Sequence, residues 1–225
     1  MKDVNFFIAT AKSNIKDTLI YKFVEKEFDK YNFRWVNANT QPLPEIYNKE
    51  IQKSSNKNKI LVFLHDDCIP EDLFIYKKLN EAMQQFDIVG LAGIQAPITI
   101  KPPLLWHLMG PANQYSGAVA HFNTDDNNQR FMTAFGVTPK RCIIVDGVFL
   151  AINVEKILEK GVKFDEKCPA KFHFYDINFC LDANKAGLKI GTYPIWITHK
   201  SHGLSKPNED WFKGQDYCLQ KYCNM

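Results

Sequence analysis

Ile60-Leu61-Val62-Phe63-Leu64-His65-Asp66-Asp67 joins five consecutive apolar residues to an imidazole and two carboxylates. A short, unbroken apolar run of this kind reads as a strand buried on both faces, the pattern of a parallel sheet covered by helices. In such sheets ligands gather beyond the carboxyl ends of the strands, so His65, Asp66 and Asp67 stand where chemistry is expected.

The flanking sequence repeats the pattern. Upstream, Val4 to Thr10 reads as a buried strand, and Ile15 to Tyr31 as a helix with Leu19, Ile20, Phe23, Val24 and Phe28 at helical spacing. Phe33 to Val36 is a short strand. Pro44 opens a helix through Ile51, closed by the polar turn at Ser54 to Asn58. Downstream, Pro70 opens a helix with Leu73, Ile75, Tyr76, Leu79 and Met83 on its packed face, and Ile88 to Ala92 is the next expected strand.

The rhythm breaks between Gln95 and Lys140, where five prolines and the polar run Thr124 to Gln129 predict loops and a hairpin. Regular structure resumes with strands at Arg141 to Val145 and Val148 to Ile152, joined by the turn Asp146-Gly147. Asn153 caps a helix to Glu159. A further helix runs from Tyr175 to Ala186 and stops at Gly187, with one or two strands over Leu188 to Thr198. Beyond Lys200 the pattern sets no element. The expected fold is one α/β domain with a mostly parallel central sheet flanked by helices.

Composition narrows the function. A net charge of +3 with 24% charged residues gives no reason to expect nucleic acid as a partner. The apolar run Phe6 to Ala9 is too short for a leader, and Asp146 interrupts Cys142 to Ile152, so no transmembrane segment is expected. Six scattered cysteines without a C-x-x-C pair suit reduced thiols in the cytoplasm. His199, His202, Cys218 and Cys223 are a candidate zinc set, although their spacing fits no finger pattern.

Four constellations can carry chemistry. Asp66 and Asp67 suit a hard divalent cation bound with a diphosphate, or they cap the turn before Pro70. Asp176, in His173-Phe174-Tyr175-Asp176, lies at a helix N-terminus whose dipole favours the ionised, proton-accepting form; it reads as a general base or as a cap. His199 and His202 lie after the last strand, either as metal or phosphate partners or as incidental turn residues. Asp146-Gly147 is either a close approach to a ligand or a plain turn.

The order of these motifs resembles family 2 glycosyltransferases with the GT-A fold, in the branch containing the glycosyltransferase implicated in streptomycin biosynthesis. The matching stretches are Ile46-Tyr47-Asn48, Leu61 to Asp67, Val145 to Ala151, Phe164-Asp165-Glu166, Phe172 to Asp176, Ala186-Gly187 and His199 to Gly203. The resemblance implies nucleotide-sugar contacts at Ala9, Thr10, Asn39, Asn48, His65, Asp66, Asp146 and Gly147. It also implies a Mn2+ or Mg2+ ion on Asp67 and His199, and Asp176 as catalytic base. His65 stands where the first aspartate of the D-x-D motif is usual.

The resulting expectation is inverting transfer from a nucleotide-sugar donor, taken as UDP-linked, to a glycan, lipid-linked or protein acceptor. Residues 1–94 would form the nucleotide half, 95–203 the acceptor and catalytic half, and 204–225 a tail. Trp106, Tyr115 and Phe122 are the candidates for acceptor stacking. The alternatives are a sugar-phosphate nucleotidyltransferase, disfavoured by the lack of a glycine-rich phosphate loop, and a non-catalytic nucleotide- or glycan-binding protein of the same fold.

Overall fold

The computed structural model describes residues 1–25, 32–95, 100–122, 129–200 and 207–223. In chain order the strands and helices begin with β1 (Val4–Ala9), α1 (Leu19–Val24), β2 (Asn32–Val36), α2 (Leu43–Ile51) and β3 (Ile60–Leu64). They continue with β4 (Cys68–Pro70), α3 (Ile75–Gln85), β5 (Ile88–Gly90), β6 (Ala92–Ile94), β7 (Tyr115–Phe122) and β8 (Arg130–Gly136). The remainder are β9 (Lys140–Cys142), β10 (Ile144–Val145), β11 (Phe149–Asn153), α4 (Val154–Glu159), α5 (Tyr175–Lys185), β12 (Ile190–Thr192), β13 (Ile197–His199) and α6 (Glu209–Cys223).

The central sheet runs β2-β1-β3-β11-β5-β12-β9. Pairings β1–β2, β1–β3 and β5–β12 are parallel, whereas β11 and β9 run antiparallel to their neighbours, so β1, β2, β3, β5 and β12 share one direction in a mixed sheet. Every residue of β3 is buried, as its apolar run requires. Tyr47 of α2 stacks on Phe63 of β3 at 4.1 Å, Phe164 stacks on Phe179 of α5 at 4.1 Å, and Tyr175 meets Tyr47 edge-on at 5.6 Å. This aromatic column fixes the start of α5 over the end of β3.

A second sheet, β10-β6-β7-β13-β4, with β8 on β7, was not legible as a separate layer. The stretch Ile88 to Ala92, expected as one strand, divides: β5 pairs within the central sheet and β6 pairs with β7 and β10 in the second. Arg141 to Val145 divides in the same way into β9 and β10. Pro70 ends β4 instead of opening a helix; α3 starts at Ile75, and Leu73 is 87% exposed instead of packed. The irregular middle region holds the expected hairpin, β7–β8. The tail forms α6, whose Trp211, Cys218 and Tyr222 are buried. Among the described residues no helix is long and apolar enough to cross a membrane.

Candidate active site

The turn after β3 places two side chains toward opposite neighbours. Asp66 accepts a short hydrogen bond from the Thr10 hydroxyl after β1, and its carbonyl accepts from the Ile20 amide of α1 at 3.3 Å. Asp67 faces β13: its Oδ1 lies 3.3 Å from His199 Nε2, and its carbonyl accepts from the Lys200 amide at 2.9 Å. His199 reaches Asp67 because β13 runs antiparallel to β4, with His199 in register with Cys68. The second sheet, not the central one, supplies that proximity.

His65 completes a group with Asp67 and His199 in which one ligand atom from each lies within 4.8 Å of the others. The His65 tautomer follows from its partners. Tyr175 OH donates its single proton to the Gly147 carbonyl at 3.0 Å, so at 2.8 Å His65 Nε2 donates to the Tyr175 oxygen. That leaves the lone pair on His65 Nδ1 free for a ligand. Burial lowers the His65 pKa, keeping the ring neutral as metal ligation requires. Burial opposes ionisation of Asp67, but interactions led by the hydrogen bond with His199 outweigh it and lower its pKa. One carboxylate and two imidazoles therefore fit a divalent cation.

Beside this group lies a cleft lined by Lys12, Asp17, Thr18, Lys22, Asp66, Asp67 and Lys200, whose three lysines can meet an anionic ligand while its aspartates balance their charge. On the other side of His65 lies a cavity of about 230 Å³ walled by Trp106, His107, Phe172, His173 and Trp211, with Asp146 and Asp176 in its lining. The His65-Asp66-Asp67 turn borders both.

Asp176 is the second residue of α5. Its Oδ2 accepts from the Gly147 amide and its Oδ1 from the Ile177 amide, both at 2.9 Å. Burial and then the charge of Asp146 raise its pKa to about 7, outweighing those backbone donors. The helix terminus was expected to favour the ionised form; desolvation and a second carboxylate reverse that sign. The helix is entered through Phe174 in a left-handed conformation, φ 61°, a strained geometry that is uncommon outside glycine. Asp146 is held by the Trp106 indole at 2.6 Å and the Val148 amide at 2.8 Å. Gly147 is needed because Tyr175 fills the space: a Cβ there would lie 2.5 Å from the Tyr175 hydroxyl.

A profile of the glycosyltransferase-like family matches residues 30–222. This chain belongs to that glycosyltransferase-like family. No curated protein matches its sequence. The crystal structure of GalNAc-T7 with UDP, GalNAc and Mn2+ superimposes with a TM-score of 0.54 at 11% identity, covering 98% of this chain and 48% of that one. S. aureus TarS gives 0.50 at 11% identity, covering 99% of this chain and 40% of TarS. A197 from STIV gives 0.47 at 12% identity over 92% and 98% of the two chains. The chain thus spans about half or less of GalNAc-T7 and TarS, and at these identities the likeness is one of fold: the GT-A arrangement.

Within this glycosyltransferase-like fold, His65, Asp66, Asp67, Asp146, Gly147, Asp176 and His199 come together around one rim. Ala9 ends β1, and Thr10 and Asn39 lie in the adjoining loops; the Asn39 side chain is engaged with the Gln41 backbone, and its backbone N–H donates to the Thr10 carbonyl. Asn48 departs from its expected place. Its amide donates to the Phe164 carbonyl and to Glu166 and accepts from the Phe164 amide, so it latches α2 to the loop before α5 instead of facing the donor cleft.

Of the three acceptor candidates only Trp106 lines the cavity. Tyr115 bonds the backbone of Gly110, and Phe122 lies under the Arg130 guanidinium. The zinc set is not assembled among the described residues: Cys218 accepts from Asn178, while His199 sits with His65 and Asp67. His202, Ser201, Gly203 and the polar run at 124–128 lie outside the described residues, as does the Cys223 side chain. The sequence reading missed Tyr175, Trp211, and His121, whose ring lies 5.8 Å from that of His199. A titratable residue near the end of a strand is the signal that marks His121.

Proposed function

We propose that this chain transfers a hexosyl group from a UDP-linked donor to an acceptor hydroxyl with inversion at the anomeric carbon. The observation that carries the reading is the Asp176 carboxylate, set in a cavity next to the His65–Asp67–His199 group with a pKa of about 7. A base whose pKa lies near the working pH combines a populated basic form with useful proton affinity.

Asp176 accepts the proton of the attacking hydroxyl while the nucleoside diphosphate departs from the opposite side of the anomeric carbon. The Gly147 and Ile177 amides fix the carboxylate's orientation. Asp67 and His199, with His65 Nδ1, would hold a divalent cation, Mn2+ or Mg2+, whose charge would offset that of the leaving diphosphate. Lys12, Lys22 and Lys200 add cationic character on the same side. Ala9, Thr10, Asn39 and Asp66 shape the nucleotide end, and Asp146 and Gly147 face the transferred sugar. The Mn2+, UDP and GalNAc held by GalNAc-T7 support the donor and metal classes.

Residues 1–94 form the donor half and 95–203 the acceptor half of one domain, a reading supported by a central sheet that takes β1, β2, β3 and β5 from the first and β9, β11 and β12 from the second. Within the 204–225 tail, Trp211 of α6 lines the acceptor cavity. We assign the chain to the streptomycin-biosynthesis branch on its Phe172 to Asp176 and His199 to Gly203 stretches. We assign its reaction to the cytoplasm, in keeping with the free thiols of Cys68, Cys142, Cys168, Cys180 and Cys218.

The test is to incubate the protein with UDP-sugars and manganese and follow UDP release and glycoside formation. Turnover that survives Asp176→Asn at the wild-type rate refutes the base assignment.

A further inference from the structure

His121 is unexplained by the account so far. It is the penultimate residue of β7, in register with His199 on the neighbouring parallel strand, so the two side chains project from the same face of the second sheet. Their ring centroids are 5.8 Å apart, and that of His199 lies 6.0 Å from His65, making a row of three imidazoles beside Asp67. Phe131, opposite on β8, stacks on the His121 ring at 5.1 Å and 25°. Its Nδ1 is buried and has no hydrogen-bond partner among the described residues. An unsatisfied buried nitrogen costs free energy unless something accepts or supplies a bond there.

Magnesium takes oxygen ligands in near-ideal octahedra and keeps several waters, whereas imidazole suits the transition-series cations. A group with more imidazole than carboxylate is built for the latter. His121 lies on β7, one strand beyond the His199 of β13.

We propose that His121 joins His65, Asp67 and His199 as a fourth donor, giving a site that takes a transition-series divalent cation in preference to magnesium. This rests on the reading of Asp67 and His199 as metal ligands and deepens it by naming the cation class.

The experiment is calorimetric titration of the purified chain with Mn2+ alone and with Mg2+ alone, without nucleotide, alongside the visible absorption of the Co2+-loaded protein. Wild-type protein should bind Mn2+ at least about tenfold more tightly than Mg2+. His121→Phe, which keeps the ring stacked on Phe131 and removes both nitrogens, should weaken Mn2+ about 10–100-fold and alter the Co2+ spectrum. His121→Asn provides the same reading if the phenylalanine variant does not fold. Wild-type Mn2+ affinity and an unchanged Co2+ spectrum in a folded His121 variant overturn the fourth-donor proposal. Equal affinity for Mn2+ and Mg2+ overturns the cation preference. A wild-type protein that binds none of these ions overturns the metal reading of Asp67 and His199 as well, which separates the two failures.

Discussion

Asp67 and Asp176 are the same residue type, border the same turn, and have their pKa values pushed in opposite directions. Asp67, with an exposed side-chain edge and the His199 ring at 3.3 Å, is held below the usual carboxylate range despite its burial. Asp176, among aromatic side chains with Asp146 nearby, rises to about 7. Two carboxylates driven apart by their surroundings are suited to different work: one stays ionised to hold a cation, the other exchanges a proton. The difference lies in packing and neighbours that local sequence does not display.

Each variant below attacks one side of this contrast. Asp176→Asn keeps the side-chain volume and removes the base; kcat should fall about 10²–10⁴-fold while UDP binding persists. The same variant should also be more heat-stable than wild type above pH 7. A carboxyl whose folded pKa is raised contributes stability at low pH that is lost as pH climbs from the unfolded value through about 7, and asparagine carries no such loss. Asp67→Ala should leave the pH-rate profile in place but weaken Mn2+-dependent UDP binding about tenfold or more by calorimetry.

Tyr175→Phe cuts the link between the two sides, stranding His65 Nε2 and the Gly147 carbonyl. A stability loss of about 1–3 kcal/mol is expected in chemical denaturation. The smallest effect is a displacement of the pH profile. Activity should rise with pH through about 7 as Asp176 loses its proton, and Asp146→Asn, which removes the neighbouring charge, should move that limb to lower pH. A limb that does not move would leave burial as the sole cause.

Much of the fold was legible because β1, β3 and β11 are long apolar runs buried throughout, or nearly so, and because α2 and α5 carry clear start or stop signals at Pro44 and Gly187. The two-sheet division was not, since β5 and β6 are separated by a single residue and share one continuous apolar pattern. Nothing local tells Gly90 from Ala92 that they belong to different sheets. The missed α6 hides its buried face among polar residues: Trp211, Cys218 and Tyr222 are spaced over the helix with lysines and acids between.

In the site, motif order located Asp67, Asp176 and His199 without revealing how they meet. Asn48 was misplaced because its motif neighbours the core, where its amide is consumed by Phe164. The raised pKa of Asp176 was missed for a related reason: the helix terminus is local and visible, while the burial that chiefly raises it and the charge of Asp146, thirty positions away, are set by the fold.

The most direct test is a crystal structure of the protein with Mn2+ and a non-hydrolysable UDP-sugar. The account requires the cation on Asp67 and His199, the diphosphate beside Lys12 and Lys200, and the anomeric carbon facing the Asp176 cavity. A nucleotide seated elsewhere, such as the lysine-lined cleft of Lys160, Lys163 and Lys185, with the Asp67 rim empty, would contradict it.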